Sequence, residues 1–196
     1  MAYGIMTNNG KNKTKVIIRQ NLLNLFNTET NVLDVFCGDG EMYKKVWKNT
    51  NKYIGIDKIS FSDERDTVMG DSLKVLETIE MSNFNIFDID AYGSPYAALE
   101  IILRRMSKKQ KEIGFCITDG LDMDLKMGKI CGDLQKLSGI KRAKIKKANR
   151  MHDYFIGKVI LKIKECFPDS KEFKIERTKG VSGVKMEYYT VYIKVI

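Results

Sequence analysis

Val32 to Phe36 is a short apolar run that leads straight into Cys37-Gly38-Asp39-Gly40, and an amphipathic stretch with helical spacing, Glu41 to Lys48, follows it. A strand, a Gly-x-Gly turn and a helix in that order form the nucleotide corner of a doubly wound α/β sheet. The glycines matter because the backbone turns sharply there and a ligand must approach it with no Cβ in the way. No other feature of the chain narrows its fold as much.

The following strand ends carry acids. Tyr53-Ile54-Gly55-Ile56 reads as a second strand ending at Asp57, seventeen residues past Gly40. A carboxylate there is placed to hold a ribose diol. Thr67 to Gly70 reads as a third strand running into Asp71-Ser72, with a helical pattern behind it. The phosphate-binding Gly-x-Gly-x-x-Gly is incomplete, since Tyr43 takes the third glycine position, and this argues against a dinucleotide. Asp34 and Asp39 beside the turn suit a ligand with a cationic amino-acid head better than a pyrophosphate. Together these strand ends resemble the S-adenosylmethionine site of Rossmann-like methyltransferases. The resemblance implies that this cofactor lies against Asp34, Phe36, Gly38, Gly40, Asp57, Asp71, Ser72 and Asp88. Gly38 and Gly40 would approach its methionine end, Asp57 its ribose and Asp71 its adenine amine.

The remaining periodicities predict a leading helix at Val16–Phe26, helices at 40–49, 72–82 and 96–106, and further strands at 84–90 and 113–118. Phe155, Val159, Ile160 and Ile163 mark another helix, stopped near Pro168, and the chain closes on β-rich runs at 172–178 and 188–196 around a glycine-containing loop, 179–184. Five alternating β/α units ending in an antiparallel hairpin predict a single-domain, Rossmann-like α/β sheet of seven strands, as in methyltransferases. With 196 residues the chain is long enough for one such domain with helices on both faces. No apolar run approaches the ~18 residues of a membrane span, and Met1 to Lys15 lacks the apolar core of a secretory signal. Cys37, Cys116, Cys131 and Cys166 form no close pair and read as reduced thiols, not as a disulfide framework or zinc site. His152, the only histidine, reads as a surface or helix-start residue. The expectation is a cytoplasmic protein with no bound metal.

Charge adds a partner. The net charge is +9, and Lys126 to Arg150 holds nine basic residues against one acid, Asp133. A smaller excess lies at Lys11, Lys13, Lys15 and Arg19 within a basic helical region, 1–28. Such a cluster is either a solvated face or a polyanion surface. The segment leaves from Asp119-Gly120 at the end of the fifth strand, on the rim where a substrate would lie. That position favours nucleic acid, with Lys141, Arg142, Lys144, Lys146, Lys147 and Arg150 as contacts. Self-repulsion predicts a mobile segment when no polyanion is bound.

Asp88-Ile89-Asp90-Ala91-Tyr92-Gly93-Ser94-Pro95 leaves the fourth strand at the switch point of the sheet, where ligands of open α/β folds bind. An acid, an aromatic and a tight Gly-Ser-Pro turn suit methyl transfer to an exocyclic base amine. The carboxylate accepts an N–H bond and makes that nitrogen more nucleophilic, and the ring stacks on the flipped-out base. The run is similar to the Asp-x-Asp-Pro-Phe-Gly-Ser-Pro signature of tRNA guanine N2-dimethyltransferases, and Phe115 to Asp119 is similar to their next strand. By that resemblance Asp90 is the catalytic acid, Tyr92 the stacking aromatic and guanine N2 in RNA the acceptor. Ala91 stands where the family has proline, and the family's large C-terminal domain has no counterpart in the sequence. Other readings stay open. Ser94-Pro95-Tyr96 can be set against the loop of DNA amino-methyltransferases; the substrate can be a small molecule or a protein; or the fold binds nucleic acid without catalysis.

Overall fold

Every residue of strand β5 (Glu112–Asp119) is buried, as are Val32 to Val35 of β1 (Asn31–Val35) and all of β4 (Ile86–Ile89). Strands this apolar must be covered on both faces, the condition of a parallel sheet. The computed structural model describes residues 13–180 and 186–195, and these form that sheet. With β2 (Lys52–Asp57), β3 (Thr67–Met69), β6 (Glu172–Lys179) and β7 (Glu187–Lys194), the strand order is β3-β2-β1-β4-β5-β7-β6. The first five strands are parallel, and β7 inserts antiparallel between β5 and β6, as the C-terminal pattern predicts. Lys11 and residues 181–184 of the expected hairpin loop lie outside the described residues.

Helices cover the two faces with separate cores. Leu33, Val35, Phe87, Ile89, Phe115 and Ile117 pack with Leu99 of α4 (Tyr96–Arg105), Leu134 of α6 (Gly132–Ser138) and Phe155 of α7 (His152–Glu165). Val32, Ile86 and Cys116, one residue out of phase, face a smaller core with Leu22 of α1 (Lys13–Leu23) and Met42 of α2 (Glu41–Lys45). The period of two therefore turns Asp34 and Asp88, partners in register across β1 and β4, toward the α1 side.

Several expected bounds shift. Helix α2 stops at Lys45 because Val46 leaves helical geometry (φ −131°), and Trp47 then enters the core through a 3-10 turn, Trp47–Asn49. Helix α3 (Ser72–Leu76) is shorter than expected, and β4 ends at Ile89, which leaves Asp90 to the loop. The alternation also breaks once. Residues 58–66 join parallel β2 and β3 without a helix, where such crossovers ordinarily take a dozen or more residues. All three residues of β3 are exposed as a result, on an edge strand short enough to resist pairing with another chain.

The basic segment is not held apart by its charges. Helix α5 (Asp122–Lys126) ends at the segment's first residue, α6 lies within it, and Gly128 to Ile130 pair back on Ala143 to Ile145 through Ile145 N–Gly128 O and Ile130 N–Ala143 O bonds of 2.9 Å. Leu125, Ile130, Leu134, Leu137 and Ala148 are buried in the larger core. Repulsion among exposed charges is screened, so it does not prevent this apolar burial. Among the described residues no helix is long and apolar enough to cross a membrane.

Candidate active site

The chain leaving β1 is tied to the end of β2, because Phe36 N and Cys37 N both donate to Ile56 O, at 2.9 and 3.0 Å. This tie coincides with a left-handed backbone at Phe36 (φ 71°), which costs a bulky residue about 1–2 kcal/mol. Phe36 is half-buried against the larger core, so its side chain serves packing while its backbone shapes the turn. Gly38 (φ 50°) and Gly40 (φ 79°) follow, and they serve different ends. A Cβ at Gly38 would meet nothing within 4 Å, so the turn is open there. A Cβ at Gly40 would strike the Arg65 guanidinium at 2.6 Å. Gly40 thus also makes room for Arg65. Arg65 comes from the helix-less crossover, is held by Asp63 at 2.7 Å, and donates to Cys37 O (3.3 Å) and Gly38 O (3.0 Å). Nothing in the sequence singled it out.

Asp57 lines the open side. Its two oxygens accept from Gly38 N and Ile59 N, each at 3.0 Å, and each keeps a further lone pair for a ligand hydroxyl. Asp71 caps α3 at Lys74 N (3.3 Å) and pairs with Lys58 (3.1 Å), and the Lys58 bond in particular holds its carboxyl below the usual range. Ile59 and Leu73, 64% and 36% exposed, stand just past Asp57 and Asp71 at adjoining strand ends. Sequence reasoning passed over both, though an apolar residue two places past each strand-end acid was a visible signal. Ser72 is enclosed at the start of α3, so its side chain does not reach a ligand as expected.

Asp34 and Asp88 are also corrected, since both are sealed beneath the strand ends. Asp34 accepts from Tyr53 Oη at 2.8 Å, and burial, followed by the charge of Asp88, pushes its carboxyl well above the usual range. Asp88 accepts from Arg19 Nε (2.7 Å), Arg19 Nη2 (2.6 Å) and Trp47 Nε1 (2.9 Å), so no face of it is left for a cofactor. Two residues on, Asp90 is 18% exposed and takes both bonds of Lys15 Nζ, at 2.7 and 2.9 Å. The two cations lie four residues apart on α1, about 6 Å along a helix, and the two acids lie two apart at β4, about 6.6 Å along a strand. That match lets α1 grip both acids at once. Burial acts to raise the Asp90 carboxyl, but Arg19 and Lys15 outweigh it and hold it below the usual range. A lasting negative charge therefore sits at the mouth of the site.

Tyr92 is 89% exposed at the tip of the same loop. Gly93 follows at φ 104°, and its carbonyl accepts from Gly120 N at 2.9 Å, which fastens the loop to the end of β5. Tyr96 is fully buried and its hydroxyl donates to Asp119, which also meets His152 Nε2 at 2.9 Å. Tyr92 is thus an open ring on this loop, and Tyr96, the aromatic of the alternative register, is closed off. His152 opens α7 but is buried, because Asp119 draws its ring inward. The thiol of Cys37 is pushed up to about 12 by burial and by Asp34, so it is no thiolate nucleophile.

All nine basic residues of 126–150 are exposed. Lys126 pairs with Asp122 at 2.7 Å and Lys136 with Glu100 at 3.4 Å. The other seven, which include Lys141, Arg142, Lys144, Lys146, Lys147 and Arg150, have no ion pair with a described residue.

No protein-family model and no curated protein matches the chain. Solved structures match its fold. The chain is similar to TYW2 of M. jannaschii, solved with AdoMet, at TM-score 0.56 and 11% identity over 98% of this chain and 80% of that one. It is similar to the plantazolicin methyltransferase BpumL, solved with a triazolic desmethylPZN analog and SAH, at TM-score 0.53 and 14% identity over 93% and 83%. A SAM-dependent methyltransferase from Archaeoglobus fulgidus gives TM-score 0.51 and 13% identity over 98% and 100%. Strand order, the antiparallel β7 and these likenesses agree: the chain has the fold of S-adenosylmethionine-dependent methyltransferases.

Proposed function

We propose that this protein is a methyltransferase that uses S-adenosylmethionine to methylate an exocyclic amine of a nucleic-acid base, with guanine N2 in RNA as the favoured acceptor. The observation that carries the reading is the pairing of a charged, partly open Asp90 with a fully presented Tyr92 between the glycine turn and the basic surface. The residues at the turn fit the cofactor. The open face of Gly38 admits a close backbone approach, Asp57 has acceptors to spare for a ribose, and Ile59 and Leu73 offer apolar surface to an adenine ring. When bound, the cofactor supplies an activated methyl group.

The protein's own part is placement. Asp90, already paired with Lys15, accepts a further hydrogen bond from the acceptor amine on its exposed side. Tyr92 stacks on the base. The seven unpaired cations neutralise phosphates beside it. Asp57→Ala is expected to weaken cofactor binding by about 2–4 kcal/mol in calorimetry, through two lost charge-assisted bonds. Unchanged affinity would move the cofactor away from this turn. Replacing Lys144, Lys146 and Lys147 by Ala is expected to lower the slope of log affinity against log salt by roughly 2–3 and leave cofactor affinity alone. A flat slope in the wild type would point to a small-molecule or protein substrate. The function itself is tested by supplying labelled cofactor with separate tRNA, rRNA and DNA pools and identifying the product nucleoside by mass spectrometry. Methylated guanine from RNA supports the reading, label in DNA alone moves the acceptor, and label in no pool ends it.

A further inference from the structure

We infer that the acceptor strand is unpaired where it meets the protein and lies along an apolar track made by Tyr92, Met123 and Met127. The inference deepens the proposed function and rests on it for one point, that the ligand is nucleic acid. Its first support is the seating of the catalytic loop. Gly120 N donates to Gly93 O, and a Cβ at Gly120 would come within 3.1 Å of Gly93, so the Tyr92 loop abuts the start of α5. Helix α5 then carries Met123, and Met127 stands just past its end, joined to it by a Met127 N–Met123 O bond of 3.1 Å. Four residues apart, the two share one helix face. They are 64% and 59% exposed. Directly beyond Met127, the pairing of Gly128–Ile130 with Ala143–Ile145 brings Lys129 against Lys144, with Lys146 and Lys147 next along the chain. None of these four lysines has an acid partner among the described residues.

The track therefore begins at the candidate stacking residue, continues over two methionines left open to water, and finishes in positive charge with no partner. A contiguous exposed apolar surface marks a binding site, and the lysines at the end select a polyanion. Which form of polyanion follows from the apolar part. A duplex presents phosphates and groove edges and hides its base faces by stacking, so a phenol ring and two thioethers would find little to touch. An unpaired strand exposes those faces. Sulfur and flat aromatic surfaces attract, and methionine adapts its shape to any base, so contact needs no fixed sequence.

The test compares binding of a fluorescent 12-nucleotide oligouridylate and of an RNA duplex of the same length, by anisotropy at fixed salt, for wild type and for Met123→Ser/Met127→Ser. Both methionines are exposed, and melting by circular dichroism together with cofactor affinity checks that the variant is folded. The expected result is a preference of about tenfold for the single strand in the wild type, reduced about fivefold or more in the double variant with duplex binding unchanged. Adding Tyr92→Ala should remove the rest of the preference. Equal or tighter duplex binding by the wild type, or an unaltered preference in the folded double variant, overturns the track; if binding still weakens with salt, the nucleic-acid reading survives that failure. A wild type that binds neither form overturns both.

Discussion

Arg19→Ala is expected to cost about 3–5 kcal/mol of folding stability, the range for removing one partner of a buried ion pair. Arg19 is 1% exposed and supplies two of the three bonds that satisfy Asp88, itself fully buried beside Asp34. Burial acts against the guanidinium charge, but Asp88 outweighs it and keeps Arg19 charged. Without Arg19 the Asp88 carboxylate would lie in a low-dielectric interior with only the Trp47 indole for company. The midpoint of urea unfolding measures the loss. Arg19→Met combined with Asp88→Leu removes both charges together, and most of the stability should return, since a well-packed apolar pair often does as well as a buried ion pair. A loss below about 1 kcal/mol in the single variant would mean that water reaches the pair.

The second large effect concerns catalysis. Asp90→Ala is expected to slow methyl transfer by about 10²–10³ in single-turnover assays, the usual weight of a preorganised electrostatic contact. Asp90→Asn keeps an acceptor without the charge and should fall between that and wild type. Tyr92→Phe should be nearly silent, because the ring face does the stacking, while Tyr92→Ala should cost about 1–3 kcal/mol. The pH dependence has a definite sign. The Asp90 carboxyl is held below its ordinary value of 3.8, so its charge persists through neutral pH and is lost only as the pH falls through that lowered value. Lys15→Met removes one of the two cations responsible and should move the acid limb of the rate profile to higher pH. Full activity in Asp90→Ala, with loss in Ser94→Ala, would put the chemistry on the other register of the loop.

The strands were legible because burial on both faces writes itself as continuous apolar runs, and β1, β2, β4 and β5 appear close to where those runs lie. The acids were harder. Asp34, Asp88 and Asp90 look alike in a linear reading, yet two are sealed in and one is open. Alternation puts all three on the α1 side; what separates them is depth, since Asp34 and Asp88 lie within β1 and β4 and Asp90 just past a strand end. Asp88 and Asp90 lie under a helix more than sixty residues away, and neither Lys15 nor Arg19 carries a local sign of its partner. Local composition likewise says nothing about Arg65 lying across the glycine turn. Tyr92 and Tyr96 flank one Gly-Ser-Pro turn and look equivalent in a linear reading, yet the first is open and the second is buried. The fold of the basic segment was not legible, since its apolar residues are thinly spaced among lysines and only their tertiary partners show them to be buried.

The helix-less link between β2 and β3 sets the two halves of the site apart in how much order binding must impose. Nine residues tethered at both ends by neighbouring parallel strands lose little further freedom on closing, and Arg65 fastens them to the carbonyls of Cys37 and Gly38. A ligand on that side meets a surface whose ordering entropy has already been spent during folding. On the other side the exposed cations of 126–150 end in flexible methylene stems, each with rotamers to lose when it closes on a phosphate. The first partner should therefore bind with little conformational penalty, and the second should carry most of it.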